Sequence, residues 1–172
     1  QPKVVTGASG SSFSNEIDLV DPDYKYPVLL RGNLGYDTTL PLGLIGSAEF
    51  LFTRNIRDIK YQNLNYIQSG ATRALDGRPV FTRKFTTLSD VIFLTNSNQG
   101  YSWSQMFEVR RPFKNGWYFS TSYLYGKSKS IMDGTSSQAA SNWGNVYVPG
   151  DVNNPPLATS VYDPGHRVNF SA

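Results

Sequence analysis

The chain of 172 residues contains no cysteine and a single histidine, His166. Without thiols it has neither disulfides nor thiolate metal sites, and one imidazole rules out a His-based metal cluster or a His dyad within the chain. No apolar run approaches the about 18 residues of a membrane helix, so any membrane span has to be built from strands. The 16 basic and 13 acidic residues give a net charge of +3 and lie scattered, with nothing like a nucleic-acid-binding arm. Serines are plentiful, but there is no G-x-S-x-G elbow and no second histidine, so no enzyme is expected. The start at Gln1 lacks a charged segment followed by an apolar one, so it is read as carrying no signal peptide. A mature chain or a fragment is expected.

What the chain has is rings. Its aromatic share is 14%, with 11 Tyr, and its hydrophobic content is 39%, which suits a β protein with wet surfaces. The stretch Tyr101 to Lys129 predicts one long β-hairpin. Read as a strand, Gly116 to Lys129 puts Trp117, Phe119, Thr121, Tyr123 and Tyr125 on one face, with Tyr118, Ser120, Ser122, Leu124 and Gly126 on the other. The preceding run repeats this, with Tyr101, Trp103, Phe107 and Val109 opposing Ser102, Ser104, Glu108 and Arg110. The apolar faces must coincide. A two-residue turn at Asn115-Gly116 pairs Lys114 with Trp117 and sets an apolar face against a polar one. A three-residue loop over Lys114, Asn115 and Gly116 instead predicts the pairs Phe113–Trp117, Phe107–Tyr123 and Glu108–Ser122.

Strands of about 13 residues reach ~43 Å at ~3.3 Å per residue, well beyond the usual 5 to 6 residues of a globular strand. Tilted by about 45°, they cover ~30 Å, the thickness of a bilayer's hydrocarbon. Length and face together predict an all-β fold, an antiparallel transmembrane β-barrel segment of about five long strands. The competing reading of the same hairpin is a soluble β-sandwich that buries the aromatic face.

In chain order, residues 1–27 read as a polar loop with turn chemistry at Asp21-Pro22-Asp23 and Tyr26-Pro27, and Glu16 to Val20 as the end of a strand. Residues 28–65 predict a hairpin, in which a three-residue loop Pro41-Leu42-Gly43 pairs Leu40 with Leu44 and Leu34 with Phe50. Ile59 to Leu64 and Val91 to Thr95 read as upward extensions of neighbouring strands, joined through a loop at 66–89 and standing clear of lipid. A second hairpin spans 90–130. Another long loop, 131–163, carries turns at Asp133-Gly134, Pro149-Gly150 and Asn153 to Pro156. Residues 164–172 start the next strand, with Val168 and Phe170 on one face. Short turns thus alternate with long loops, as periplasmic turns and extracellular loops do in outer-membrane barrels. Five strands are too few to close a barrel, so residues 1–172 are expected to form part of a larger one.

Several segments, DIKYQNLN at 58–65, LTNSNQGYSWS at 94–104, RPFKNGWYFSTSYLYGKSKS at 111–130, DGTSSQAASNW at 133–143 and DPGHRVNFSA at 163–172, carry a further signal. Together they resemble the barrel of a TonB-dependent outer-membrane receptor of the Oar-like group. The resemblance implies a barrel of about 22 strands with a plugged lumen, located in the outer membrane of a Gram-negative-type bacterium. It implies uptake energised through TonB by way of a plug domain that this sequence does not contain. The implied partners are the lipid bilayer, the TonB system and an extracellular ligand or surface protein, with no nucleic acid and no cofactor. Two other functions stay open: a surface or adhesion protein whose loops dock partner proteins, and a soluble carbohydrate-binding β-sandwich using Trp117 and Tyr123.

No residue is assigned a catalytic, cofactor or metal role, and the ligand-binding residues stay unassigned. His166 is read as structural. Asp21 with Asp23, and Asp151 with Asn153 and Asn154, carry oxygen ligands that suit Ca²⁺, but their spacing fits turns. Glu49, Glu108, Arg31 and Arg110 fall on the polar face, toward a watery lumen or a plug. Tyr66, Phe81, Trp143, Tyr147 and Tyr162 in the long loops either stack on a ligand or pack the loops together. Tyr101, Phe113, Trp117 and Tyr125 fit aromatic girdles, with Arg111 and Lys127 near the ends of the same face, where charge costs least.

Overall fold

The computed structural model describes residues 15–148 and 150–172. The expected loop over residues 1–14, and the Pro149 half of the Pro149-Gly150 turn, lie outside the described residues. The fold is all-β. The frame is four long strands, β2 (Val28–Leu40), β3 (Leu44–Asn63), β7 (Tyr101–Lys114) and β8 (Trp117–Ser130), continued by β10 (Gly165–Ser171), with the two-residue β9 (Ala158–Thr159) paired to the end of β8. They pair antiparallel in the spatial order β2, β3, β7, β8, β10. Among the described residues no helix is long and apolar enough to cross a membrane.

Each residue row crosses all five strands on a single face. One row joins Tyr36, Ala48, Phe107, Tyr123 and Val168; the next joins Leu34, Phe50, Gln105, Tyr125 and His166. The intervening row on the opposite face joins Gly35, Glu49, Met106, Leu124 and Arg167, and its neighbour joins Asp37, Ser47, Glu108, Ser122 and Asn169. Because side chains alternate faces at every residue, a slip of one position in any pairing would break all these rows. The expected pairs Leu40–Leu44, Leu34–Phe50, Phe107–Tyr123 and Glu108–Ser122 all occur.

The second turn is built differently from the expectation. Lys114, not Phe113, pairs with Trp117. Asn115 and Gly116 take φ of 56° and 85°, the two positive values of the Asn-Gly turn whose twist suits a hairpin. The face mismatch this creates is corrected in the strand: the register shifts between Arg111 and Lys114, so that Pro112 and Phe113 face Tyr118 alone. Pro112 has no N–H to give the ladder, so a bulge at that point sacrifices little. In the first turn Leu42 joins Gly43 in the left-handed region, with φ of 65° and 74°.

At the other end β3 outruns its neighbours. Its last residues pair with β6 (Asp90–Ser97), Tyr61 opposite Leu94, in the same register that β7 holds farther down. Asn98 to Gly100 step out of the ladder between β6 and β7, anchored by a bond from the Asn55 N–H to the Gly100 carbonyl (3.0 Å). The span expected as a loop at 66–89 contains a hairpin of its own, β4 (Tyr66–Thr72) with β5 (Pro79–Arg83). Glu16–Val20 forms β1, which pairs parallel with β6, an orientation the reading of residues 1–27 did not anticipate. The edge is available because β8 stops at Ser130, one residue past the Lys129–Tyr101 pair. The chain then returns toward β2 through a reciprocal clasp, Lys25 N–H to Asn96 Oδ1 and Asn96 Nδ2 to the Lys25 carbonyl, both 2.8 Å.

The buried apolar residues among those described are Val91, Ile92 and Ile131, all at the excursion end. The apolar rows of the long strands are uncovered: Phe107 is 52% exposed, Leu34 74% and Val168 73%. No second sheet lies over them among the described residues, where the other sheet is the two-stranded β4–β5. The burial of the aromatic face that a β-sandwich requires is not found.

One glycine on the polar face is tightly enclosed. A Cβ on Gly126 would sit 2.6 Å from the Trp103 carbonyl oxygen and 2.9 Å from Pro164, whereas one on Gly35 would meet nothing within 4 Å. Gly126→Ala is therefore expected to cost about 1–3 kcal/mol, and Gly35→Ala well under ~1 kcal/mol, as read from denaturant unfolding midpoints. Equal midpoints for the two variants would contradict this packing.

Candidate functional site

The two long excursions meet above the sheet through asparagine side chains that substitute for backbone partners. Where β3 ends, the Asn63 carboxamide accepts from the N–H groups of Asn65 (3.1 Å) and Val91 (3.2 Å) and donates to Asp90 (2.6 Å). Asn65 accepts from the Phe85 N–H and donates to the Phe85 and Leu88 carbonyls, fixing the return of the β4–β5 hairpin. Both asparagines are fully buried, so each unmade bond would cost about 1–3 kcal/mol.

Asn153, distant in sequence, fastens the second excursion to this node. Its Oδ1 accepts the Asn63 N–H (2.6 Å) and its Nδ2 donates to the Asn63 carbonyl (2.9 Å), as an adjacent strand would. Gln62 donates to the Asn153 carbonyl and Lys60 to Asn154 Oδ1. The base of the same excursion is pinned by Asp133, which accepts from Ser130 (2.6 Å), Ser160 (2.8 Å) and the Val161 N–H (2.7 Å). Between them lies a short helix, α1 (Ala139–Gly144), oriented by Asn142, which accepts from the N–H groups of Thr135 and Ser136.

This arrangement sets Trp143 against Tyr66, ring centroids 5.3 Å apart, and opens a cleft between the β4–β5 hairpin and the side chains and backbone of Trp143, Val148, Gly150 and Val152. Its volume is about 290 Å³ and its walls include Tyr66, Arg73, Arg78, Phe81, Trp143 and Val152. A second hollow of about 410 Å³ shares Arg78, Trp143, Val148 and Val152 with it. Arg78 forms an ion pair with Asp76 (2.6 Å) and donates to the Tyr147 hydroxyl (3.2 Å). The Arg83 guanidinium lies 6.0 Å from the centre of the Tyr66 ring. The indole Nε1–H of Trp143 is buried without a hydrogen-bond partner among the described residues.

No family model, curated protein or solved structure matches this chain. The site is therefore read from its own geometry.

Of the loop aromatics singled out in the sequence, Tyr66, Phe81 and Trp143 converge on the cleft, and Tyr147 adjoins it. Tyr162 does not; it lies near Leu51, Ser104 and Pro164. Of the carboxylates considered for Ca²⁺, those of Asp21 and Asp151 accept hydrogen bonds within their own turns and from β6. Asp21 accepts from Thr95 Oγ1 (2.6 Å) and the Asp23 N–H, and Asp151 accepts from the Asn153 N–H. Among the described residues no three His, Asp or Glu side chains group as a metal site. His166 lies on the apolar face, stacked on Tyr125 at 4.3 Å and bonded through Nδ1 to the Tyr123 hydroxyl. On the polar face Glu108 accepts from Ser120 and Arg31 donates to Thr53.

The sequence does not mark Arg73 or Arg78, and it marks Asn153 only as a turn residue and a candidate Ca²⁺ ligand. The arginines carry a faint signal, with Arg73, Arg78 and Arg83 at five-residue intervals around Gly77. Nothing in the sequence marks Asn153 as the fastener of the two excursions, since its partner lies 90 residues away.

Asp133 gives the excursion a pH dependence. Burial pushes its carboxyl up, but the hydrogen bonds from Ser130, the Val161 amide and Ser160 outweigh this and hold it below its ordinary value of 3.8. A group lowered on folding adds stability above its unfolded value, and that contribution is lost as pH falls through the folded one. The protection factor of the Val161 amide against hydrogen exchange is thus expected to be constant above pH ~5 and to drop below the ordinary carboxylate range. Asn153→Ala is expected to raise exchange across residues 143–154 by about tenfold or more, the loss of about 1–3 kcal/mol. Unchanged exchange there would show that Asn153 does not hold the excursions together.

Proposed function

We propose that this chain is a wall segment of an outer-membrane β-barrel of the TonB-dependent, Oar-like receptor type. Its apolar rows face lipid and its polar rows face the barrel interior. Its two locked excursions stand outside the cell, where ligand arrives. The observation that carries this reading is the uncovered apolar face. Tyr36, Phe107, Tyr123 and Val168 stand exposed in one row across the sheet, and transfer of each large side chain out of water is worth about 1.5–3 kcal/mol. Exposed apolar surface continuous over five strands calls for a cover.

Lipid suits the dimensions and the edges of that face. From Tyr101 to Phe113 the strand rises ~41 Å, or ~29 Å when tilted by about 45°, near the ~25 Å apolar band of such barrels. Charge enters the face only toward its ends. At one end Arg54 pairs with Tyr101 and Lys127 with Trp103, and at the other Arg111 lies 3.6 Å from the Trp117 ring centre. Rings gather at the excursion end in the chain Phe50, Trp103, Tyr125, His166, successive centroids 4.3–6.5 Å apart, which suits an interfacial girdle. Among the described residues β2 and β10 each pair on one side only. Open edges are not viable in hydrocarbon, so the reading includes further strands beside both. Energised uptake through TonB belongs to that larger assembly.

The three tryptophans divide the test. Trp103 and Trp117 belong to the apolar face and Trp143 to the cleft. In single-tryptophan variants reconstituted into vesicles with brominated acyl chains, Trp103 and Trp117 fluorescence is expected to be quenched and Trp143 fluorescence to persist. Quenching of Trp143 alone, or of none, would sink the membrane reading.

A further inference from the structure

The cleft has a composition that the wall does not need. Residues 66–85 carry four basic side chains, Arg73, Arg78, Arg83 and Lys84, against one acidic, Asp76. Asp76 forms its ion pair with Arg78 and attracts Arg73 as well, more weakly; the Arg73 guanidinium forms no hydrogen bond or ion pair of its own among the described residues. It lines a hollow whose other walls are rings, aliphatic side chains and Arg78. The Trp143 ring forms part of that wall, and its Nε1–H is buried without a partner among the described residues. The adjoining hollow, reached past Arg78 and Trp143, extends the site to a second unit. The two volumes together fall within the about 300–1,000 Å³ of small-molecule sites.

We propose that this cleft binds a short anionic saccharide. The guanidinium fork of Arg73 takes a carboxylate or sulfate in bidentate fashion. Sugar rings present C–H faces to Trp143 and Phe81. Arg78, half-neutralised by Asp76 and oriented by Tyr147, faces the acidic group of the next unit. Neutral sugars forgo the ionic contacts, and simple anions forgo the rings. The inference rests on the cleft alone and deepens the uptake reading by naming a ligand class; it holds whether or not the sheet stands in lipid.

The test is direct titration of the full chain, folded in detergent, followed by calorimetry and by Trp143 emission in a variant lacking the other tryptophans. The probes are a galacturonic acid trimer, a sulfated galactose trimer, the neutral galactose trimer and a glutamate trimer. Expected is saturable binding of at least one anionic saccharide, at least about tenfold tighter than the neutral one and weakened by salt. The stronger of the uronate and sulfate arms identifies the acidic group. Arg73→Ala is expected to lower that affinity about tenfold or more, Arg73→Lys to recover it only in part, and both to leave Trp103 quenching by brominated lipid unchanged. Equal binding of the neutral trimer, equal binding of the glutamate trimer, wild-type affinity in Arg73→Ala, or no binding of either anionic saccharide would each overturn the proposal.

Discussion

Everything in this protein depends on one register holding across five antiparallel strands. A strand shows alternate residues to opposite sides, so the separation of apolar from polar surface is an all-or-none property of pairing. Aligned, the ladder makes one oily face and one wet face out of sequences that are individually only striped. The bulge at Pro112 and Phe113 shows how strictly the constraint acts. The Asn115-Gly116 turn is locally preferred but mismatches the faces by one residue, and the strand absorbs the discrepancy within a few positions. The turn is free to take its preferred form because the ladder corrects it.

Above the long rows the organising force changes from pairing to side-chain substitution. Asn63, Asn65, Asn142 and Asn153 each carry a donor and an acceptor on one short arm, which lets them complete a backbone ladder where the chain diverges. Asn153 occupies the place of a neighbouring strand beside Asn63. That single substitution brings an excursion from late in the chain against the β4–β5 hairpin and creates the aromatic and cationic cleft. Rigidity in the excursions thus comes from satisfied polar groups, with Val91, Ile92 and Ile131 as the small apolar centre beneath them. A cleft held this way keeps its shape without a deep core.

The sheet was largely legible before any coordinates. Face assignments for Tyr101 to Arg111, for Trp117 to Lys129 and for Leu30 to Asn55, the loop at Pro41 to Gly43 and the upward extension of β3 all follow from alternation and turn chemistry; the pairs Leu34–Phe50 and Phe107–Tyr123 occur as expected, and the bulge moves Phe113 and Lys114 off their expected faces. The turn at Asn115 departs from the expectation because the strand, and not the turn, restores the match of faces. The parallel seating of β1 on β6 was illegible for a different reason: Glu16–Val20 says only that it is extended, and which edge it joins depends on where β8 stops. Of the candidate site, the rings Tyr66, Phe81 and Trp143 were marked by type but not as neighbours, and Asn153 read as one more turn residue.

Consecutive residues therefore determined the all-β character, the two faces, and the positions of the turns, because alternation and backbone sterics act between neighbours along the chain. Tertiary structure alone decided the bulge, the parallel edge strand, the asparagine node and the cleft. Those features need partners tens of residues apart to arrive together, and their energies appear only once the ladder has fixed where each strand begins and ends.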